Sequence, residues 1–556
     1  MPSSSGPSRL TSLHSRPPLR YAVYFLSLLG LAASVLAMLF ESAWGWAALP
    51  FGLLAALGTY DRYQRRHTVS RNYPILAHFR YFLESIGPEI RQYFIQSDTE
   101  QTPYSREQRS LVYQRAKNVL DKKAFGSVQD MYAEGYEWIS PSLKPTRIDS
   151  HDFRITIGKD CAKPYSASIF NISAMSFGSL SANAITALNA GAKRGRFYHD
   201  TGEGAISPYH RQGGDLVWEI GSGYFGCRNE DGTFSEERFV EGATLEQVKM
   251  IEIKLSQGAK PGHGGILPAA KVTPEIATTR GVPVGKDVIS PYSHSAFTTP
   301  LEMMGFIGRL RELSGGKPVG IKLTIGHPWE WFGLVKAMLE TSQRPDFIIV
   351  DGGEGGTGAA PLEFINRLGM PLTEALLLVH NTLVGAGLRD KIHIGAAGKI
   401  VSAFDIARTI ALGADWCNAA RGYMFALGCI QAMTCHTDRC PSGVATQDKR
   451  RGKKLDVPDK TQRVFHFHDN TLKALAEMLA AAGLKDTSEL GPEHILRRVS
   501  KTEIRSFASL FPFLEPDELL HSVPEHAVFR EYWQAAQPDT FHPPVSIQEL
   551  RATKLR

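Results

Sequence analysis

The sequence predicts an α/β fold, a closed (β/α)₈ barrel of the TIM type with an N-terminal transmembrane helical hairpin and flanking helical segments. Between residues 165 and 450, short apolar runs end in glycine-rich turns and are followed by helical stretches, which is typical of parallel βα units. About eight such units in about 290 residues favour a barrel. An open doubly wound sheet is the alternative architecture.

The composition is that of a globular protein in a reducing compartment. Hydrophobic residues make up 43% and charged residues 21% of the 556 residues, which excludes a disordered chain. Six cysteines exclude a disulfide scaffold and favour the cytoplasm. The net charge of +6 is too small to indicate nucleic-acid binding, so we expect no nucleic-acid partner.

Two apolar runs predict a membrane anchor in residues 1–66. The first, residues 21–40, holds no charge and would extend ~30 Å as a helix, the thickness of the hydrocarbon core. The second, residues 44–60, is weakened by Pro50 and Gly52. A secretory signal peptide is the alternative, but its apolar region would be shorter and no second run would follow it.

Arginines flank this pair of runs on both sides. Positive charge on both flanks places both in the cytoplasm, which predicts a lipid bilayer as partner and a barrel on the cytoplasmic face of the inner (cytoplasmic) membrane. The flanking arginines are Arg9, Arg16, Arg20, Arg62, Arg65 and Arg66.

The remaining chain divides into three predicted parts. Residues 67–150 form a helical connecting region, residues 151–485 form the barrel, and residues 486–556 form a helical or irregular extension, with helices expected over residues 455–500. Seven apolar runs are predicted as barrel strands: Ser166–Ile172, Val217–Ile220, Met250–Leu255, Val319–Leu323, Phe347–Val350, Ile392–Ile394 and Trp416–Ala420.

The strongest chemical signal is the spacing C-x5-C-x4-C of Cys429, Cys435 and Cys440, closed by Pro441. Clustered thiolates in a cytoplasmic protein mainly bind metal. Three cysteines suit a cluster of three irons with one thiolate per iron. The alternative is a zinc site with His436 as fourth ligand.

Glycine-rich turns follow the late predicted strands. Glycine lets backbone N–H groups approach an anion, and the turns after strands 7 and 8 of a barrel form a phosphate site. We therefore expect a phosphorylated cofactor there, the alternative being tight turns without a ligand. The candidate cofactor-binding residues in these turns are Gly355, Gly356, Gly395, Gly398, Ala420 and Gly422.

Three cations stand in unusual surroundings. Lys322 lies inside an apolar strand, so it must be paired or functional; it would stabilise charge on a reduced flavin ring or form an ion pair, for example with Asp351. Lys260 and Arg280 lie beside Gly- and Pro-rich turns and suit a dicarboxylate. Solvated surface charge is the alternative for both.

The segment Gly221–Gly226 matches the G-x-G-x-x-G pattern. A turn, Cys227–Gly232, follows it in place of the helix that a nicotinamide site requires. We therefore expect no nicotinamide site here, and an outside electron donor is needed.

Several motifs together resemble the FMN-binding synthase domain of glutamate synthases, in order over residues 150–485. The whole chain resembles the shorter, membrane-anchored FMN-binding glutamate synthase family proteins. The motifs are Ser173-Ala-Met-Ser-Phe-Gly178, Thr201-Gly-Glu-Gly204, Gly258-Ala-Lys-Pro-Gly262, Gly355-Gly-Thr-Gly358, Ala426-Leu-Gly-Cys429 with the cysteine run, and Ser442-Gly-Val-Ala-Thr-Gln-Asp448.

The resemblance implies an FMN barrel with a 3Fe-4S cluster, an oxidoreductase acting on CH-NH₂ donors. In the family, reduced FMN gives a hydride to 2-iminoglutarate, which yields L-glutamate. By matching motif positions, the resemblance implies these roles: Cys429, Cys435 and Cys440 hold the cluster; Ser173, Met175 and Ser176 bind the cofactor; Lys322 lies at the flavin pyrimidine edge; Lys260 and Arg280 hold 2-oxoglutarate; and Glu203 lies at the substrate pocket.

The chain departs from the family pattern at three positions that we expect to line the pocket. The family's glutamine is Ile266 here, its acid is His263, and its arginine is Tyr224. These changes favour a second hypothesis, an FMN oxidoreductase acting on another 2-oxo acid or amine. A third hypothesis is a membrane-anchored electron-transfer protein.

The beginning of the chain bears on its nitrogen source. It starts Met-Pro-Ser, and its first cysteine is Cys161, so the N-terminal nucleophile of the family's amidotransferase domain is not expected. Ammonia would come from a partner subunit or from solution, and electrons from a donor protein.

Overall fold

The computed structural model describes residues 19–64, 67–95, 97, 103–522 and 525–545. The chain forms two compact units, Met1–Glu100 and Gln101–Arg556.

Eight parallel strands close into a barrel in the second unit. The predicted barrel is therefore confirmed, and the open sheet is excluded. The strands are β1 (Phe170–Ile172), β2 (His199–Asp200), β3 (Leu216–Ile220), β4 (Val248–Lys254), β5 (Val319–Leu323), β6 (Phe347–Asp351), β7 (His393–Ala397) and β8 (Trp416–Ala419).

The strand boundaries differ from the predictions in three places. The two-residue β2 was missed because His199 and Asp200 form no apolar run. The run predicted as the first strand is divided, because Tyr165–Ser168 pairs antiparallel with Arg154–Ile157 outside the barrel. Strand β7 continues to Ala397, so Gly395 lies within a strand and not in a turn.

Helices follow the strands and cover the barrel. Several begin with a side-chain cap, such as the capping box of Thr299 and Glu302, which satisfies N–H groups at a helix start. The barrel helices are Ala182–Gly195, Glu236–Ala243, Pro274–Arg280, Pro300–Leu313, Pro328–Thr341, Leu362–Arg367, Leu372–Gly385, Ala403–Ala411 and Arg421–Leu427.

The flanking segments pack on this barrel. The 25-residue helix Val457–Ala481 lies so close to Ala182–Gly195 that a Cβ at Gly191 would be 2.4 Å from Val464 Cγ1. Within the predicted helical stretch 455–500, Ile495–Arg498 is a strand between Glu137–Ile139 and Ile504–Ser506, so that part of the prediction was wrong. The other flanking helices are Arg106–Lys117, Lys449–Gly452, Phe507–Leu510, Glu518–His521 and Ala527–Tyr532, and Ile266–Leu267 pairs with Val288–Ile289.

The barrel contains buried polar and charged side chains among its apolar residues. Trp416 Nε1 donates to the Tyr198 hydroxyl (2.8 Å), which donates to Asn418 Oδ1 (2.6 Å). Glu219 and Lys322 form an ion pair at 2.7 Å. Buried charges of this kind must be paired, and here they lie beneath the carboxyl ends of the strands.

The first unit is helical. Its helices are Ala22–Ala37, Gly45–Tyr63, Thr68–Asn72 and Leu76–Ile90, and a π-helical turn, Arg91–Ile95, follows the last. The first two pack closely, since a Cβ at Gly30 would lie 2.6 Å from the Phe51 ring.

The structure does not support the predicted transmembrane spans at 21–40 and 44–60, nor the bilayer as a partner. Among the described residues, every helix is too short or too polar to cross a membrane. The first helix has 16 residues, about 24 Å of helix against a core of about 30 Å. The second ends at Tyr63, and its last turn contains Asp61 and Arg62. Arg9, Arg16, Arg65 and Arg66 lie outside the described residues.

Candidate active site

A cleft of about 880 Å³, including its open mouth, lies at the carboxyl ends of the barrel strands. Active sites of (β/α)₈ enzymes lie at this face. The structure brings many of the predicted residues together here. Those lining the cleft are Met175, Ser176, Glu203, Lys260, Gly356, Ala420 and Cys435.

One wall of the cleft has almost no side chains. It is built from Gly202, Gly356, Gly358, Ala359 and Ala420. Gly202 has φ +64°, and a Cβ there would lie 2.9 Å from Ser176 N, so only glycine fits. A planar ligand can therefore approach the backbone along this wall.

Other predicted cofactor residues lie behind this wall or away from it. The Ser173 N–H donates to the Ala419 carbonyl (3.1 Å), and the Gly355 N–H donates to the Gly352 carbonyl (2.9 Å). A Cβ at Gly422 would touch the Phe467 ring, one at Gly395 the Trp416 indole, and one at Gly398 the Leu372 side chain. These glycines make room for packing.

A carboxylate and two amines also line the cleft. Glu203 Oε1 lies 3.0 Å from Lys254 Nζ. Burial alone would raise the pKa of Glu203, but Lys254 and Lys260 lower it to about 2. Burial, together with the charge of Lys254, lowers the pKa of Lys260 to about 8 despite Glu203. The sequence analysis missed Lys254; its place at the end of a strand, six residues before Lys260, was the available signal.

Arg280 is buried beside this group. It donates to the Phe177 carbonyl (3.2 Å) and to Ser176 Oγ (3.4 Å). Its guanidinium lies over the Phe225 ring, and burial lowers its pKa to about 10. Because Lys260 and Arg280 are only 8% and 5% exposed, the solvated-charge alternative is excluded for both.

The three departures from the family pattern lie in different surroundings. Ile266 lines the cleft, and His263 lines a smaller cavity that also borders Glu203. Tyr224 is fully buried instead, and its hydroxyl accepts the Ala296 N–H (3.1 Å). The expectation that Tyr224 lines the pocket was therefore wrong.

The cysteine loop adjoins the cleft. Cys435 and His436 line it, and burial raises the pKa of Cys429. At Cys440, burial is outweighed by hydrogen bonds from Ser442 and from nearby backbone N–H groups, so the thiol pKa is lowered. Such amide bonds favour a thiolate that binds metal.

The loop also holds strained backbone and a buried cation. Gln431, Met433 and Asp438 have positive φ, a conformation that costs energy and clusters at functional sites. Lys271, which the sequence analysis missed, donates to the Ser179 and Ala445 carbonyls, both at 3.3 Å. Lys271 therefore links the loop after β1 to the segment that follows Cys440.

Lys322 is paired, but not with Asp351. Its Nζ lies 2.7 Å from Glu219 Oε2, and Glu219 lines the cleft. Asp351 Oδ2 instead accepts the Gly258 N–H (2.9 Å). The predicted alternative of an ion pair is therefore present with a different partner.

Comparison with known proteins gives one family. Residues 143–485 match the family described as "Conserved region in glutamate synthase". The chain is 38% identical over 496 residues to the glutamate synthase large subunit-like protein YerD of Bacillus subtilis, covering 82% of this chain and 94% of that protein. It is 35% identical over 338 residues to the archaeal glutamate synthase (NADPH) of Methanocaldococcus jannaschii, covering 60% of this chain and 62% of that protein.

Proposed function

Because the chain belongs to the glutamate synthase family, we propose that it forms L-glutamate by reductive amination of 2-oxoglutarate through the 2-imino acid. It is an enzyme of the glutamate synthase type, and this proposal adds the substrate and the cofactors. The observation that carries it is the pair of amines, Lys254 and Lys260, which line the same cleft as Glu203 and the wall of small residues.

The proposed cofactor is FMN. The cleft fits it because the wall around Gly202 and Gly356 admits a planar ring, and Arg421 at the same wall suits a phosphate. When bound, FMN supplies the hydride that reduces the imino carbon. Ser176 and Met175 border the ring site, and Arg280 holds their loop in place through Ser176 Oγ and the Phe177 carbonyl.

The chain's own residues then bind and orient the substrate. Lys260 attracts one carboxylate from the cleft wall. Arg280, whose Nε has no hydrogen-bond partner among the described residues, adds positive potential beside it. Glu203 accepts from Lys254 at 3.0 Å, which holds both side chains in place at the cleft.

The proposed metal centre is a 3Fe-4S cluster on Cys429, Cys435 and Cys440, one thiolate per iron. The hydrogen bonds to Cys440 support it, since such bonds tune iron–sulfur clusters. The proposed partners are an electron-donor protein and an ammonia-supplying subunit. A cytoplasmic location of the barrel stays a prediction from the flanking arginines.

An anaerobic assay tests the proposed function. Purified protein is assayed for FMN, iron and zinc, then reduced and mixed with 2-oxoglutarate and ammonia. We expect bound FMN, about three irons per chain, flavin reoxidation and L-glutamate by mass spectrometry. Zinc without iron would favour the His436 alternative, and a protein whose flavin no 2-oxo acid reoxidises would be an electron carrier.

Ile266 supports a second candidate function, the oxidation or reduction of another 2-oxo acid or amine. Its side chain is 38% exposed in the cleft and offers an apolar contact that 2-oxoglutarate does not need. The same assay with 2-oxo acids that carry apolar side chains separates the two: faster reoxidation by one of them than by 2-oxoglutarate would favour this candidate.

A further inference from the structure

Three carboxyl groups and one ammonium group share the barrel interior beneath the cleft. One carboxyl oxygen each of Asp200, Glu219 and Glu252 lies within 4.8 Å of the other two, and each residue is 1% exposed. Lys322 Nζ lies 2.7 Å from Glu219 and 3.9 Å from Glu252. We call these four residues the core cluster.

The register of the strands brings the four side chains of the core cluster together. Glu219 on β3 and Glu252 on β4 are direct neighbours across the ladder, so their side chains point to the same side. Asp200 ends β2, and Lys322 stands on β5. Four consecutive strands thus each direct one ionisable side chain to one place.

The charges do not balance if all four groups are ionised, because three carboxylates and one ammonium sum to −2. The ionisable groups nearby do not correct this. Lys254 is paired with Glu203, and the positive charge of Lys260, which acts on Glu219, is offset by the further acid Asp351. The Tyr198 hydroxyl near Glu252 adds no charge, because burial raises its pKa well above the usual value. Glu252 Oε1 has no hydrogen-bond partner among the described residues. Carboxyl groups this close, sealed from water, share protons.

The direction of each pKa shift agrees with proton sharing among the carboxyl groups. Burial, followed by the neighbouring carboxylates, raises the pKa of Asp200 and of Glu252. Burial would lower the pKa of Lys322, but the surrounding carboxylates raise it well above its usual value. The exchangeable proton therefore belongs to the carboxyl groups, while Lys322 stays charged.

We propose that the core cluster binds one proton when the flavin is reduced and releases it when the flavin is reoxidised. The inference rests on the proposed function, since it requires bound FMN. Glu219 lines the cleft, so negative charge that bound FMN gains on reduction would repel the carboxylates of the core cluster. Lys322 does not offset this charge, because it is already paired with Glu219.

The step is balanced in electrons and protons. Reduction of bound FMN would take two electrons, one at a time from an electron-donor protein, and one proton. A second proton, from water, would form an O–H bond on Glu252 or Asp200, and nothing in the cluster would be oxidised or reduced. Once the substrate had been reduced, that O–H bond would break and the proton would return to solvent.

The test is a redox titration of the FMN with mediator dyes between pH 6 and pH 8.5. One extra proton per two electrons steepens the midpoint potential by about 30 mV per pH unit. We expect this extra slope in the wild type, and its reduction in Glu252→Gln. The matched control Glu230→Gln, at an exposed position, should keep the wild-type slope.

A second measurement gives its deciding result on the wild-type protein, and the variants only assign the band. The infrared difference spectrum of wild-type protein, reduced minus oxidised, should gain the C=O band of a protonated carboxyl group, and Glu252→Gln or Asp200→Asn should alter that band. A spectrum without the band would overturn the proposal, whether or not the variants fold.

The outcomes separate the two proposals. Wild-type protein without FMN would contradict the proposed function. Wild-type protein with FMN but with the same slope as both Glu252→Gln and Asp200→Asn would contradict the core-cluster proposal alone. A stoichiometric divalent metal that Glu252→Gln loses would also overturn it, since the three carboxylates would then be metal ligands.

Discussion

Replacing Lys260 by glutamine tests the substrate site directly. Lys260 is 8% exposed and its pKa is about 8, so about nine-tenths of the enzyme carries this charge at pH 7. Glutamine keeps a similar length and removes the charge. The resulting decrease in kcat/KM therefore measures the interaction of one buried ammonium group with a substrate carboxylate.

The magnitude follows from this burial. A charge-assisted contact in a partly desolvated site is worth about 2–4 kcal/mol when one partner is removed. At 1.4 kcal/mol per tenfold, kcat/KM for 2-oxoglutarate should fall ~30- to ~1000-fold. KM should account for most of the fall, because the substrate carboxylate is present in both ground and transition states.

The assay is anaerobic flavin reoxidation by 2-oxoglutarate and ammonia in a stopped-flow spectrometer. FMN and iron contents should be unchanged, and Lys260→Arg should recover part of the activity. Lys286→Gln is the matched control, because Lys286 is exposed outside the cleft. Wild-type kinetics in Lys260→Gln would refute the assignment of Lys260 to the substrate, and loss of FMN would show that the residue holds the cofactor instead.

Three further predictions concern proton binding, the metal and the backbone. Because Lys260 is charged below its pKa of about 8 and neutral above it, KM for the dicarboxylate should stay level below pH 8 and rise about tenfold per pH unit above it, and Lys260→Arg should abolish the rise. Cys440→Ser should lower the iron content and leave FMN bound; unchanged iron would remove Cys440 from the ligand set. Gly202→Ala should destabilise the fold by ~1–2 kcal/mol, because φ is +64° there, and should weaken FMN binding. Thermal unfolding measures the first effect and the amount of bound flavin the second; a wild-type melting temperature would contradict the strain.

Local sequence patterns determined most of the architecture. Apolar runs of strand length followed by glycine turns predicted six barrel strands at or near their observed positions, because an interior strand must be apolar along short continuous stretches. The spacing of Cys429, Cys435 and Cys440 and the motifs around Gly202 and Gly356 are local as well, so they indicated the site before the fold was known.

Hydropathy alone did not predict where the helices of the N-terminal unit begin and end. The run from 21 to 40 is apolar throughout, but its helix ends at Ala37. The second helix continues past Asp61 and Arg62 to Tyr63. The length of an apolar run in the sequence does not give the length of the helix that it forms, and it is the helix length that decides whether a bilayer can be spanned.

Only the tertiary structure decided which charged groups meet. Lys254 with Glu203, Lys322 with Glu219, and Glu219 with Glu252 are pairs separated by many residues along the chain. Each depends on strand register and on closure of the barrel, and β2, the strand that carries Asp200, has no apolar signal at all. Side-chain direction in a strand alternates with every residue, so a pairing shifted by one would separate all these groups. A sequence shows which residues can ionise, but the register of the folded sheet decides which of them share a proton.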